Sequence, residues 1–189
     1  QGIRGLEQIC AIQADALITH SSVEMRILNG LAPLAPVFVV PWAIETPPVI
    51  QRLQNRSGCL FVGHYAHQPN LDAAFWLIEE IMPLVHKRRP DIICYLVGSH
   101  MPERLRNTTS PGIEILGYVQ DLNEVFSRVR IGVAPLRFGA GIKGKVLEML
   151  GWGLPVVMTP VAAEGIPLPV ELKEVVVEKD ADSIANMII

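Results

Sequence analysis

The sequence predicts an α/β protein built on a doubly wound parallel sheet, with a small remnant of a second, N-terminal domain. Three observations carry this. Apolar runs of strand length recur along the chain, helical patterns lie between several of them, and the runs are continuously apolar instead of alternating, as in strands covered on both faces. With 189 residues, half of them hydrophobic and only 19% charged, the chain is long enough to bury one sizeable core. Its 15 glycines and 15 prolines suit many tight connections.

Strands are predicted over residues 16–19, 37–40, 60–63, 92–97, 113–116, 131–134, 155–158 and 174–177. The clearest helix places Leu71, Ala74, Phe75, Ile78, Ile81, Met82 and Val85 on one stripe, with Asp72, Glu79, Glu80 and Lys87 off it. Asn70 is its expected N-cap and Pro90 lies beyond its end, while Pro83 inside the pattern is expected to kink the helix or end it early. The stretch 41–54, with Pro47 and Pro48, has no periodicity and reads as a linker. The expected division is therefore a remnant over 1–41, a linker over 42–56 and a complete domain over 57–189. The remnant supplies too few elements to close a core of its own.

Several function classes are excluded. A formal charge of −3 argues against a general nucleic-acid binder. Cys10, Cys59 and Cys94 are odd in number and form no C-x-x-C pair, so a reducing compartment without a disulfide or zinc framework is expected. The apolar segment 27–44 contains Asn29, Gly30, Pro33, Pro36 and Pro41, which a membrane-spanning helix does not tolerate together. No basic region precedes an apolar stretch at the start, and a chain opening on Gln1 is read as a fragment.

The most informative stretch runs from Ile131 to Val157. A buried strand enters a loop holding Gly139, Gly141 and Gly144, and a helix starts there and continues to about Trp152. Glycines let backbone N–H groups approach an anion closely, and a helix start adds unpaired donors and partial positive charge. Lys143 and Lys145 bring full charges. Over 125–163, Arg128, Arg130, Arg137, Lys143 and Lys145 face the single acid Glu148, within an acidic protein. These features predict a diphosphate cradle. Glu148 shares a helix stripe with Gly144 and Lys145, and its carboxylate is suited to accept two hydrogen bonds from a ribose diol. The alternative is a plain ion pair with Lys145 on a solvated face.

Two literal motifs compete. Gly139, Gly141 and Gly144 spell G-x-G-x-x-G with Glu164 downstream, as a dinucleotide-binding fold requires, but that fingerprint belongs to a domain's first strand and here about four strands come first. Asp180-Ala-Asp182 spells D-x-D, yet at a helix start acids are expected for the dipole alone. His64 and His67 lack a third ligand nearby, so no metal site is predicted. His64 follows a strand's carboxyl end, where open α/β sheets bind ligands, and is a candidate contact for substrate phosphates or sugar. His20, His86 and His100 carry no signal.

Five motifs in order resemble the C-terminal domain of group 1 (family 4-like) glycosyltransferases: Leu60-Phe-Val-Gly-His-Tyr-Ala-His-Gln-Pro-Asn-Leu-Asp-Ala, Tyr95-Leu-Val-Gly, Ile115-Leu-Gly-Tyr-Val-Gln-Asp, the Gly-rich loop with Lys145-Val-Leu-Glu-Met-Leu-Gly-Trp-Gly-Leu-Pro-Val-Val, and Ala163-Glu-Gly. Upstream, Ala14-Asp-Ala-Leu-Ile-Thr-His-Ser-Ser-Val-Glu and Val39-Val-Pro-Trp look like the end of that family's acceptor-binding N-terminal domain and its crossing into the second.

The resemblance implies half of a GT-B enzyme that takes a nucleotide-diphosphate sugar as donor, with retention and with no obligatory metal or other cofactor. By position, Lys145 and Glu148 match the residues expected to carry the chemistry, Glu148 holding the ribose and Lys145 standing near the diphosphate. Gly117, Tyr118 and Val119 match the loop that meets the base, and Gly63 with His64 matches the first glycine loop. Gly139, Gly141, Lys143 and Gly144 complete the expected donor contacts. The family's E-x7-E pair is broken here, its first position falling at Ala140. The implied partners are the nucleotide sugar and an acceptor that is a saccharide, lipid or protein. A cytoplasmic location is implied, with peripheral contact at the inner membrane surface through the N-terminal half. The fragment alone is expected to bind donor without turnover.

Overall fold

The computed structural model describes residues 3–46 and 53–189, so Pro47 and Pro48 of the predicted linker lie outside the described residues. The chain opens with α1 (Ile3–Gln13), β1 (Leu17–Thr19), α2 (Ser22–Leu31) and β2 (Val37–Val39), and β1 and β2 form a two-stranded parallel sheet. Ser21 caps α2 by accepting from the Glu24 N–H at 3.1 Å. Two strands cannot cover an apolar face, and Ile18, Phe38 and Leu34 remain exposed.

A second sheet follows, with β3 (Cys59–Val62), β4 (Cys94–Val97), β5 (Ile113–Gly117), β6 (Ile131–Ala134) and β7 (Val156–Met158) in the order β5-β4-β3-β6-β7, all parallel. Around it stand α3 (Gln68–Trp76), α4 (Met82–Arg88), α5 (Glu103–Arg106), α6 (Leu122–Phe126), α7 (Gly144–Gly151), α8 (Pro160–Ala163), α9 (Val170–Val176) and α10 (Ala181–Ile188). The continuous apolar runs become central strands because both faces are covered: β3 and β7 are buried at every residue. Cys59 and Cys94 are free, buried and in register on β3 and β4. A hydrogen bond with Cys94, then burial, pushes the Cys59 thiol well above its ordinary value.

Three details depart from expectation. Residues 174–177 do not form a strand; α9 occupies most of them, and only Val177 bridges to Met158. The helix carrying Leu71 begins earlier, with His67 as N-cap, and the side-chain amide of Asn70 instead donates to the His64 carbonyl at 2.9 Å. Between α3 and α4 lies one turn of π-helix, Leu77–Ile81, in which the Met82 N–H reaches back to the Leu77 carbonyl. The next residue, Pro83, has no N–H and its ring crowds the carbonyl four residues back, so the widened turn absorbs the predicted kink without ending the helix.

Among the described residues no helix is long and apolar enough to cross a membrane. Asp180 of the D-x-D motif caps α10, accepting from the Ser183 N–H at 2.8 Å. That bond, followed by the one from the Ser183 hydroxyl, holds the Asp180 carboxyl below its ordinary value. Its stabilisation is therefore present above the unfolded carboxyl pKa, near 3.8, and lost as pH falls through the lower folded value. Asp180→Ala is expected to lower the thermal midpoint at neutral pH by about 2–4 °C, a difference that calorimetry at acid pH should find diminished.

Candidate functional site at the sheet switch point

From β3 the chain winds outward to β4 and β5; from β6 it winds the other way to β7. Strand order thus reverses between β3 and β6, and the carboxyl ends there open a crevice, the place where such sheets bind ligands. A cavity of about 580 Å³ occupies it, within the usual size for a small-molecule site. Gly63, His64, Gly139, Lys143, Gly144 and Lys145 all line it, so residues from both glycine loops converge. Among the described residues no aspartate or glutamate lines the cavity. Its charge is cationic.

The β3 side is fixed by backbone bonds past the strand ends. The Gly63 N–H donates to the Val97 carbonyl at 2.9 Å, the Tyr65 N–H to the Ser99 carbonyl at 2.9 Å, and the Gly98 N–H to the Gly117 carbonyl at 2.7 Å. Tyr65 is buried beneath, its hydroxyl donating to the Val97 carbonyl at 3.3 Å. On the β6 side, the Thr159 hydroxyl donates to the Leu136 carbonyl and accepts from the Ala162 N–H, tying the start of the loop to α8. Gly139 and Gly141 have φ of +132° and +77°, conformations that a side chain disfavours.

The helix α7 opens with Lys143 at its N-cap position and no side chain capping it, and Gly144 and Lys145 of its first turn line the cavity. The Lys143 ammonium donates to the Gly141 carbonyl at 2.6 Å. Burial lowers its pKa, opposed by Glu164 and Glu24. Trp42 lies against the same helix start: a Cβ on Gly144 would stand 3.1 Å from its ring. Trp42 is stacked on His20 with ring centroids 5.3 Å apart, so the N-terminal segment walls one side of the Gly-rich loop.

The sequence-predicted residues divide into groups. Glu148 is not among the lining residues and forms a 2.7 Å ion pair with Lys145, their side chains 39% and 47% exposed. Gly141 stands behind the lining, with Glu24 as its neighbour. Gly117 ends β5 and Tyr118 and Val119 follow it, two strands from β3 and so about 10 Å away. Tyr118 is 73% exposed.

The clustered basic charge of 125–163 is dispersed in space. Arg137 makes a bidentate pair with Asp72 at 2.8 and 2.5 Å, Arg128 pairs with Glu124 at 3.7 Å, and Arg130 borders a separate pocket with Ser57 and Asp91. Only Lys143 and Lys145 of the five serve the cavity.

Sequence reasoning missed His100, Ser99, Trp42 and Glu24. No local signal marks them, because each reaches the site through strand adjacency or through the N-terminal segment. His64 Nδ1 lies 2.7 Å from the Ser99 hydroxyl, and its ring centroid is 4.9 Å from His67 and 4.5 Å from His100. Among the described residues no group of three or more histidine, cysteine or acidic side chains is placed to hold a metal.

Comparison with known proteins adds four findings. A family model described as glycosyl transferases group 1 matches residues 56–189. A Klebsiella pneumoniae relative, named as an uncharacterized 44.6 kDa protein in the cps region, is 30% identical over 126 residues, 59% of this chain and 31% of that one. The crystal structure of TarM superposes with a TM-score of 0.79 at 12% identity, covering 98% of this chain and 38% of that one. HepE of Anabaena, solved with UDP and glucose, gives 0.64 at 14% identity over 98% and 55%. The chain thus spans between about a third and just over half of these proteins' lengths.

Proposed function

Since the chain belongs to the group 1 glycosyl transferases, with the Rossmann-like GT-B fold of its structural neighbours, we propose that its cavity holds the diphosphate of a nucleotide-sugar donor and that the whole enzyme transfers the sugar to a saccharide, lipid or protein acceptor. The observation that carries this is the cavity at the switch point, with two lysines, a helix start and, among the described residues, no carboxylate.

Transfer breaks the bond between anomeric carbon and phosphate oxygen, and negative charge grows on the leaving diphosphate. Lys143, Lys145 and the N–H groups of the α7 start and the two glycine loops are the donors that meet that charge, the two ammonium groups turning from Gly141 and Glu148 to do so. Glu148 takes the ribose and the Gly117–Val119 loop the base, a ligand extended from β6 towards β5. The two lysines are cations placed to supply this stabilisation, and transfer is expected without an obligatory divalent metal. Retention at the anomeric carbon rests on the family resemblance. The remnant over 1–41, through Trp42 in the linker and Glu24, forms the wall facing the acceptor side.

Titrating the chain with UDP, GDP, ADP and NAD by calorimetry and thermal shift tests the reading. One nucleoside diphosphate is expected to bind and to raise the thermal midpoint, by an amount that grows with its concentration above Kd. Binding of NAD alone would favour an oxidoreductase, and binding of none would leave a scaffold.

A further inference from the structure

Strands β3 and β4 end level, Val62 being in register with Val97, so the loops that leave them run side by side. That places His64 and His100, remote in sequence, with ring centroids 4.5 Å apart, and the His67 ring stands 4.9 Å from that of His64. His100 holds a left-handed backbone, φ +55°, a conformation uncommon outside glycine. His64 and His67 line the cavity. With His64 Nδ1 engaged by the Ser99 hydroxyl at 2.7 Å, Nε2 is the nitrogen left for a ligand.

Among the described residues no acid lines the cavity beside His64. Its own loop and α3 contribute His67 and the uncharged Asn70; the loop after β4 contributes Ser99 and His100; across the cavity stand Lys143 and Lys145. On that wall Glu148 pairs with Lys145 at 2.7 Å, and Glu164 and Glu24 act on Lys143. Burial first, then His100 and His67, lowers the His64 pKa below its ordinary 6.5. A proton on this ring is therefore disfavoured while the cavity is empty, and a multivalent anion would reverse the balance.

We propose that His64, backed by the rings of His67 and His100, is a proton-charged clamp on the diphosphate: the occupied cavity takes up protons from solvent, and the empty one returns them. This rests on the nucleotide-sugar reading of the cavity. The free nucleoside diphosphate carries more charge than the esterified donor, so the clamp is more fully protonated after transfer than before it. Loss of those protons then accompanies product release.

The sign of the empty state follows from linkage. A histidine whose folded pKa is depressed binds fewer protons folded than unfolded between the two values, so the free chain loses stability as pH falls below about 6.5. Ligand affinity moves the opposite way.

The experiment is calorimetric titration of the 189-residue chain with UDP, GDP and inorganic pyrophosphate from pH 8 to pH 5.5, in paired buffers of different ionisation enthalpy, alongside histidine C2–H shifts by NMR. A second protein carries His67→Asn and His100→Asn; both positions are exposed, and asparagine suits a helix N-cap and a left-handed residue alike. The expected result is net proton uptake on binding, and an affinity that rises by up to about tenfold per pH unit per linked proton. The double variant should lose part of that slope, which cancels the ligand's own titration. Binding with equal pH slopes in both proteins and no change in the His64 shift overturns the clamp alone. Failure of all three ligands to bind at any pH overturns the donor-site reading, and the clamp with it.

Discussion

In the full-length enzyme, Lys145→Ala and Glu148→Ala are each expected to lower kcat/KM by about 10- to 150-fold, the equivalent of one charge-assisted hydrogen bond at about 1.5–3 kcal/mol. The structure sharpens what this tests. The two side chains meet at 2.7 Å on a half-exposed surface of α7, three residues apart. If they served only each other, the pair would be worth at most about 1 kcal/mol of stability and nothing in rate. On the donor reading the ion pair is a resting arrangement: Lys145, which lines the cavity, turns to the diphosphate, and the released carboxylate takes the ribose diol. Thermal midpoints should therefore shift little in either variant while the kinetics fall. Unchanged kinetics in both would leave a solvated ion pair and remove Glu148 from the site. Glu148→Gln, which keeps one acceptor oxygen, is expected to fall between the alanine variant and the parent.

Gly98→Ala is expected to cost about 2–6 kcal/mol of folding stability, the sum of a backbone forced to positive φ and an overpacked contact. Gly98 has φ +147°, and a Cβ there would stand 1.7 Å from the Gly63 carbonyl oxygen and 3.0 Å from the Tyr65 ring. A backbone oxygen cannot swing aside as a side-chain terminus can, so the loops after β3 and β4 must separate. Those loops carry Gly63 and His64 on one side and Ser99 and His100 on the other. Urea denaturation should show the lost stability, and nucleotide binding should weaken with it. Gly117→Ala is the control, since φ is +69° but nothing lies within 4 Å of its Cβ position. Equal losses in the two variants would show that strain alone, and not the approach of the two loops, sets the cost.

Much of the fold was legible before any coordinates. Central strands of a doubly covered sheet must be continuously apolar, and the runs over 60–63, 92–97, 113–116, 131–134 and 155–158 become β3 to β7 with shifts of a residue or two. The start of α7 at Gly144 was legible because a glycine-rich turn followed by an amphipathic stretch admits few other structures. Residues 174–177 failed for a reason of the same kind. A short apolar run flanked by charges fits one exposed helical turn as well as a strand, and only Val177 found a sheet partner. The expected cap Asn70 failed because its amide had a better use at the His64 carbonyl, which local pattern does not reveal.

Hydrophobic period, glycine placement and strand length are local properties, and they were enough to specify an α/β sheet and a glycine-rich loop that opens into α7. Which side chains meet is a long-range matter. Arg137 belongs to Asp72 and Arg130 to the far end of the sheet, although both sit beside the loop in sequence, while His100, Trp42 and Glu24 reach the site from distant segments. Strand order and register assign those partners, and the free energy that selects them comes from burying the sheet as a whole, which no single window of residues contains.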